Sequence, residues 1–595
     1  MNRGIKGIRK ESNVVGAIAL AFLMVAMAQV GYAGGDQRGS LDVERADHTG
    51  TITSNVEGAE LQLGEAMTPI TLNYTSQASG ATFYNGNGSS WMLKDIWSGS
   101  GSVINDMSAT IATISYDDNL YFKAHDGIHG NELWKSDGTE AGTVMVKDIN
   151  TGTSSFYGDS SDIDRFTVMG DILYFVASNR TNNDELWRTD GTESGTYMVK
   201  DINPSGYVGS SIGMGGTHEY PHMEIMGNNL YFRANDGTHG SELWKSDGTE
   251  AGTVMVKDII PGYAGSIPGG TGITAMGDNV YFSAQSYADG YELWKSDGTA
   301  NGTVMVKDIH SGSDSSSAHF FTAVGNTLYF RANDGTAVGS HGTELWKSDG
   351  TEAGTVMVKD IRPGTSGSAL GDTSFFFETI GNTIFFDADD GTHGVELWKS
   401  DGTEAGTVMV KDIKTGGPSV HSYPDHLIAV GDKLFFEAAP TGSVGQDNEL
   451  WVSDGTESGT IMLTNSSNQY SYCCSELTAI GDTLFFNYRY SSDTGVEMWR
   501  SDGTEAGTVM ADEICSGSCS GSGGFLTLVG NTVYLVGSND SVGNPLREGY
   551  EWWAHDPTNI TLDAPPPASW RAEPALPAGI SISGGTISGT PTVYA

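Results

Sequence analysis

An eighteen-residue phrase, ELWKSDGTEAGTVMVKDI, recurs along this chain, and a chain made of near-copies has to fold as near-copies of one unit. Clear copies span 132–149, 185–202, 242–259, 292–309, 344–361 and 396–413, and degenerate ones begin at Glu449 and Glu497. Their tryptophans are Trp134, Trp187, Trp244, Trp294, Trp346, Trp398, Trp451 and Trp499, spaced 48 to 57 residues apart. That period belongs to propeller-type repeats, and adding units is how 595 residues can form one body.

Within one repeat, residues 318–361, four strand-sized apolar segments are separated by turn signals. Leu328 and Phe330 alternate with Tyr329 and Arg331, the period of a strand rather than a helix. Gly325-Asn326 and the SDGTEAGT segment supply residues that tolerate positive φ at hairpin corners. Four antiparallel strands, A to D from the centre outward, make a propeller blade. At the ends of the array, WMLKDI at 91–96 reads as a D strand without its A, B and C, and residues 525–557 read as A, B and C without a D. If the two fragments complete one another, the fold is all-β, a closed propeller of nine four-stranded blades. Eight, with one unit displaced, is the other count.

Each repeated tryptophan is expected to pack flat against the neighbouring blade, with sugar stacking as the alternative role. The Lys-Asp pair of VKDI, for example Lys359 and Asp360, is expected to guard an exposed edge strand with charge. Aspartates Asp247, Asp297, Asp349 and Asp401 sit at turns; their spacing does not fit an EF-hand, so the expected cofactor list is empty, with calcium bridging left open. Cys473 and Cys474 fall in one D-to-A link, and Cys515 and Cys519 in the next. In an exported protein these read as one or two disulfides, with zinc as the alternative. The inner strands are apolar and threonine-rich, apart from Glu224 and Glu378, which are expected to face water or a hydroxyl. His218, His222, His310, His319 and His421 show no recurring spacing, and no catalytic or metal triad is apparent.

The repeated phrase resembles the ELWxxDGT repeat family, found in secreted and surface proteins and often described as hyalin-like. The resemblance covers residues 91 to about 557. It implies an extracellular role such as adhesion and brings no catalytic residues.

With 74 acidic against 31 basic side chains, the net charge of -43 repels nucleic acid. Residues 1–33 read as a signal peptide, cleaved or kept as an anchor: Arg3, Lys6, Arg9 and Lys10 precede an apolar run from Val14 to Val30. Residues 34–90 form a polar, strand-rich flank, and 558–595 resemble part of an Ig-like module of surface proteins through ALPAGISISGGTISGTPT. The N-terminal flank could lend that module a strand. The B-to-C and D-to-A loops vary between repeats and share one face, which is where a glycan or protein partner is expected to bind. The function expected from sequence is therefore a non-catalytic, exported or cell-surface adhesion protein. A passive envelope component and a glycan-active enzyme are its alternatives.

Overall fold

The computed structural model describes the bulk of residues 90–556 and, outside that span, the backbone of six short strands. Residues 1–40, 98–102, 104–112, 152–159, 213–221, 371–376, 441–447, 515–520 and 539–549 are among those outside the described set, and with them the proposed signal peptide.

Nine four-stranded antiparallel sheets form the propeller, each in the order A-B-C-D. Blade 5 shows the pattern: His319–Val324, Thr327–Asn333, Thr343–Ser348 and Val356–Lys359. Phe330 sits opposite Trp346, and Trp346 opposite Met357, after a register shift between Leu345 and Trp346. The same shift recurs at the matching site of blades 1 to 4, 6 and 8, where it sharpens the twist each blade needs to lean on the next. The inner strands of neighbouring blades pack on one another, the first on the ninth included.

The hydrophobic cores lie between blades. Leu328, Phe330, Ala332 and Trp346 of blade 5 form one cluster with Tyr281, Val306 and Ile309 of blade 4. A propeller of this kind is a series of inter-blade cores, so its stability is largely a property of its joints.

Blade 9 takes Ser522–Val529, Thr532–Gly537 and Glu551–His555 from the end of the array and Ser90–Met92 from its start. Trp553 pairs with Met92 and Ala554 with Trp91. The Leu93 amide donates to the Trp552 carbonyl at 2.9 Å, and the Ile96 amide to the Glu551 carboxylate at 3.2 Å. Trp553 is the ninth repeated tryptophan, disguised in the sequence by Trp552, which replaces the usual leucine.

The flanks form a separate unit, residues 1–81 and 559–595. Met67–Thr71 pairs antiparallel with Thr586–Gly589, which pairs with Ile580–Ser583. The N-terminal flank thus lends a strand to the C-terminal segment. Leu41–Glu44, Thr49–Thr53 and Asn73–Ser76 make a second small sheet.

Candidate functional site

The repeated phrase is consumed by the joints. In blade 5, Asp349 accepts the Thr351 amide at 2.9 Å and the Thr351 hydroxyl at 2.7 Å, and Thr351 Oγ1 in turn accepts the Gly354 amide at 3.0 Å. These bonds hold the Asp349 carboxyl below the ordinary aspartate value. Asp247, Asp297 and Asp401 make the same pair of bonds to Thr249, Thr299 and Thr403. Gly350 has φ +84°, and the space beside it is filled by the Tyr281 hydroxyl of the preceding blade, so a side chain is excluded twice over.

Both lysines of the phrase cross to the next blade. Lys347 donates to the Gly402 carbonyl and Lys359 to the Thr407 carbonyl, each at 2.8 Å, and the Lys359 ammonium lies 5.8 Å from the centre of the Trp398 ring. Lys359 is therefore a strap between blades, which corrects its expected role as an edge guard. Seven of the eight predicted tryptophans are 5–7% exposed, while Trp499 is half-buried against Tyr488.

Variation appears instead in the fifth residue of the B strand. Aligned by register, it is Lys123, Val176, Arg233, Ser283, Arg331, Asp387, Glu437, Asn487 and Val536 in blades 1 to 9. The seventh position varies too, as His125, Asn235, Gln285, Asn333 and Asp389, so the loop end of the B strand is where the blades acquire individual character. The fifth position lies toward the variable-loop end, beside the start of the inner strand. In four blades that start is bulged, with Arg165, Phe320, His426 and Phe525 at φ between 50° and 64°. Such backbone is strained for these residues and re-aims their side chains.

At blades 6 and 7 these features converge on ionisable groups. Asp425 faces Glu437 across the A–B pair. His426 Nδ1 lies 3.0 Å from Glu437 Oε1 and 3.7 Å from Asp425 Oδ2, and Asn448 donates to Glu437 Oε2 at 3.1 Å. Glu437 and Asp387 are buried, whereas half of the His426 side chain is exposed. Burial pushes the Asp425 carboxyl up to about 6; His426 opposes the rise, and Glu437 and Asp387 add to it. Three carboxylates and one imidazole thus meet beside the inner strand, with the half-exposed imidazole at the surface. Such a set can pair with an organic amine or pass a proton.

The two arginines at the same strand position are tied down. Arg233 Nε donates to the Ile267 carbonyl at 3.2 Å, and Arg331 Nη1 to the Leu370 carbonyl at 2.7 Å. Glu224 and Glu378 accept the inner-strand amides of Ala275 and Ala429 in the following blades, at 3.2 and 3.1 Å. A main-chain amide takes the place of the expected water or hydroxyl. Cys474 is fully buried and disulfide-bonded; Cys473, Cys515 and Cys519 lie outside the described residues, as does His218.

Two histidine arrangements escaped the sequence reading. Asp126–His129, Asp236–His239, Asp334–His341 and Asp390–His393 each close a B-to-C loop through a 2.7 Å contact, a repeat signalled by the phrase DGTHG. At the ring closure, Ser90 Oγ lies 3.0 Å and Asp512 Oδ2 3.4 Å from the buried His555. Both approach the same nitrogen, Nδ1, whereas a nucleophilic serine needs the opposite ring nitrogen from its aspartate. This trio binds the closing strand to blade 8 and is not a catalytic triad. Among the described residues, no group of three or more His, Cys, Asp or Glu side chains is arranged to hold a metal ion.

No protein-family model matches the chain, and no curated protein does. Solved structures do match. A prolyl endopeptidase shares 11% identity at a TM-score of 0.35, covering 64% of this chain and 55% of its own. A puromycin hydrolase shares 14% at a TM-score of 0.32, covering 59% and 53%. Prolyl oligopeptidase B from Galerina marginata shares 11% at 0.33, covering 57% and 49%. The chain spans about half the length of these structures. The likeness is one of fold and assigns no activity to this chain. The expectation of a non-catalytic adhesion protein that binds through its variable loops is not carried forward: the similar structures bear peptidase and hydrolase names, and the ionisable cluster lies on strands.

Proposed function

We propose that the ring is a ligand-binding propeller whose site, at the inner-strand ends of blades 6 and 7, takes the cationic amine of a short peptide. The observation that carries this reading is the convergence of Asp425, Glu437 and Asp387 beside a half-exposed His426. The backbone bulge at His426 fixes the direction of its side chain before a ligand arrives, which lowers the ordering cost of binding. The net charge of -43 raises the local concentration of cations. The names of the similar structures suggest peptides as the panel to try; the site itself asks only for an amine.

The test is calorimetric titration of the full chain with short lysine-containing peptides, free and N-acetylated, against Asp425→Asn and Glu437→Gln. Free-amine peptides should bind at least about tenfold more tightly than acetylated ones, with each substitution removing that preference. Equal binding of both peptide forms overturns the reading.

One observation favours a second, catalytic reading. A carboxyl held at about 6 beside an imidazole is suited to proton transfer near neutral pH. Peptide hydrolysis that falls as Asp425 titrates, and that Asp425→Asn abolishes, would establish it; hydrolysis unchanged in that variant would sink it. We read export from the basic and apolar residues of 1–33 alone.

A further inference from the structure

The first letter of the repeated phrase is a glutamate, and it is the most deeply buried charge-bearing residue of the blade. Glu132, Glu185, Glu242, Glu292, Glu344 and Glu396 are each 0% exposed. All sit on C strands and reach the point where strand D ends and the link to the next blade begins. Glu344 accepts the amides of Ile361 and Arg362 at 3.0 and 3.4 Å. Glu396 accepts the Ile413 amide at 2.8 Å, the Ser422 amide at 3.2 Å and the Ser422 hydroxyl at 2.6 Å. Each glutamate thus staples a D-to-A link, and in blade 9 Glu551 staples the closing strand in the same manner.

We propose that the glutamates of blades 1 to 6 form a pH-responsive clasp, in which proton uptake stabilises the link of one blade after another and proton loss destabilises them together. The link amides and hydroxyls favour the carboxylate, which accepts through both oxygens, but burying that charge with no cation beside it outweighs them; the acid keeps its carbonyl oxygen as an acceptor and carries no buried charge. The surroundings reinforce this. The aspartate before each link faces the glutamate: Asp148, Asp201, Asp258, Asp360 and Asp412 oppose ionisation of Glu132, Glu185, Glu242, Glu344 and Glu396. His239 and His393 face Glu242 and Glu396 from the B-to-C loops. The nearest cations in chain are committed to the next blade, Lys245 to the Gly298 carbonyl and Lys347 to the Gly402 carbonyl, and Arg362 pairs with Asp389 at 2.6 Å.

Burial pushes Glu132 and Glu344 up to about 8, and Glu185, Glu242 and Glu396 up to about 7, from the ordinary glutamate value of 4.5. The protonated form is the one the fold prefers. Its contribution is complete below 4.5 and is lost as pH rises through 7 to 8. Repetition sums a small local effect over blades 1 to 6.

The experiment is thermal melting of the full chain from pH 5.5 to 9, at low and high salt, for wild type and for Glu132→Gln/Glu185→Gln/Glu344→Gln. Glutamine imitates the protonated acid and cannot ionise. Wild-type Tm should fall by roughly 5 °C or more across the range at both salt levels, and the triple variant should fall by clearly less. Equal slopes in the two proteins, or a wild-type slope abolished by salt, would assign the effect to the net surface charge and overturn the proposal. Should the variant fail to fold, infrared spectra of the folded wild type at pH 6 decide: a band from un-ionised buried carboxyls supports the clasp, and its absence overturns it.

Discussion

The two ends of each blade follow opposite rules. At the turn end, Asp349, Gly350, Thr351, Gly354 and the crossing lysines of the preceding blade form the same bonds in blade after blade. At the loop end, the fifth B-strand residue runs from lysine to valine to glutamate, and among the described residues the inner strand bulges in four blades. A joint must suit its neighbour on each side, so its residues are held to one solution by packing and hydrogen bonding. A site needs to occur once, and it can occupy the loop-end positions that the joints leave free.

The largest effect expected from breaking this contrast is at a joint. Trp346→Ala should cost about 3–5 kcal/mol in chemical denaturation, because the ring is buried against Tyr281 and Val306 of the neighbouring blade. A loss below about 1 kcal/mol would show that the joints do not carry the stability. Lys359→Met keeps the apolar stem over Trp398 but loses the bond to Thr407, and about 1 kcal/mol is expected from the same measurement.

Asp425→Asn sharpens the contrast from the other end. Since burial raises the Asp425 carboxyl to about 6, its contribution to stability is complete below the ordinary value of 3.8 and lost as pH rises through about 6. Above that pH the neutral asparagine should leave the Tm equal to or slightly above wild type, while abolishing amine binding. A marked fall in Tm would make Asp425 a joint residue instead. Asp401→Asn should give the smallest change, and with the opposite sign of pH dependence: its carboxyl is lowered by Thr403, so its contribution is present above 3.8 and lost as the pH drops below it. Melting curves at pH 3 and pH 6 check this.

Much of the joint end was legible because it repeats. The tryptophan spacing marked eight blades, and the orphan strand at 91–96, matched to residues 525–557, pointed to the ninth and to closure. What the sequence obscured were partners in the next blade. Lys359 reads as an edge charge until Thr407 is placed beside it, and Glu378 reads as solvated until the Ala429 amide is seen to meet it. Trp553 went uncounted because Trp552 shifts the eye by one residue. The candidate site was hidden for another reason: Asp387 lies 38 residues before Asp425 and 50 before Glu437, with the latter two 12 apart across a hairpin, and only the packing of blade 6 on blade 7 assembles them. The signal was available in the blade alignment, in the loop-end B-strand positions whose chemistry changes from blade to blade.

The closing strand also sets the order in which the molecule can be completed. Ser90–Met92 belongs to the earliest part of the ring to be synthesised, and its partner Glu551–His555 to the last. While the ribosome makes the eight blades between them, the first segment must wait unpaired, and the growing arc carries an open edge at each end. A chain released early stays an arc, with inter-blade surface exposed to proteases and to other arcs. Completion of synthesis is thereby coupled to the disappearance of the surfaces that would mark the chain as unfinished.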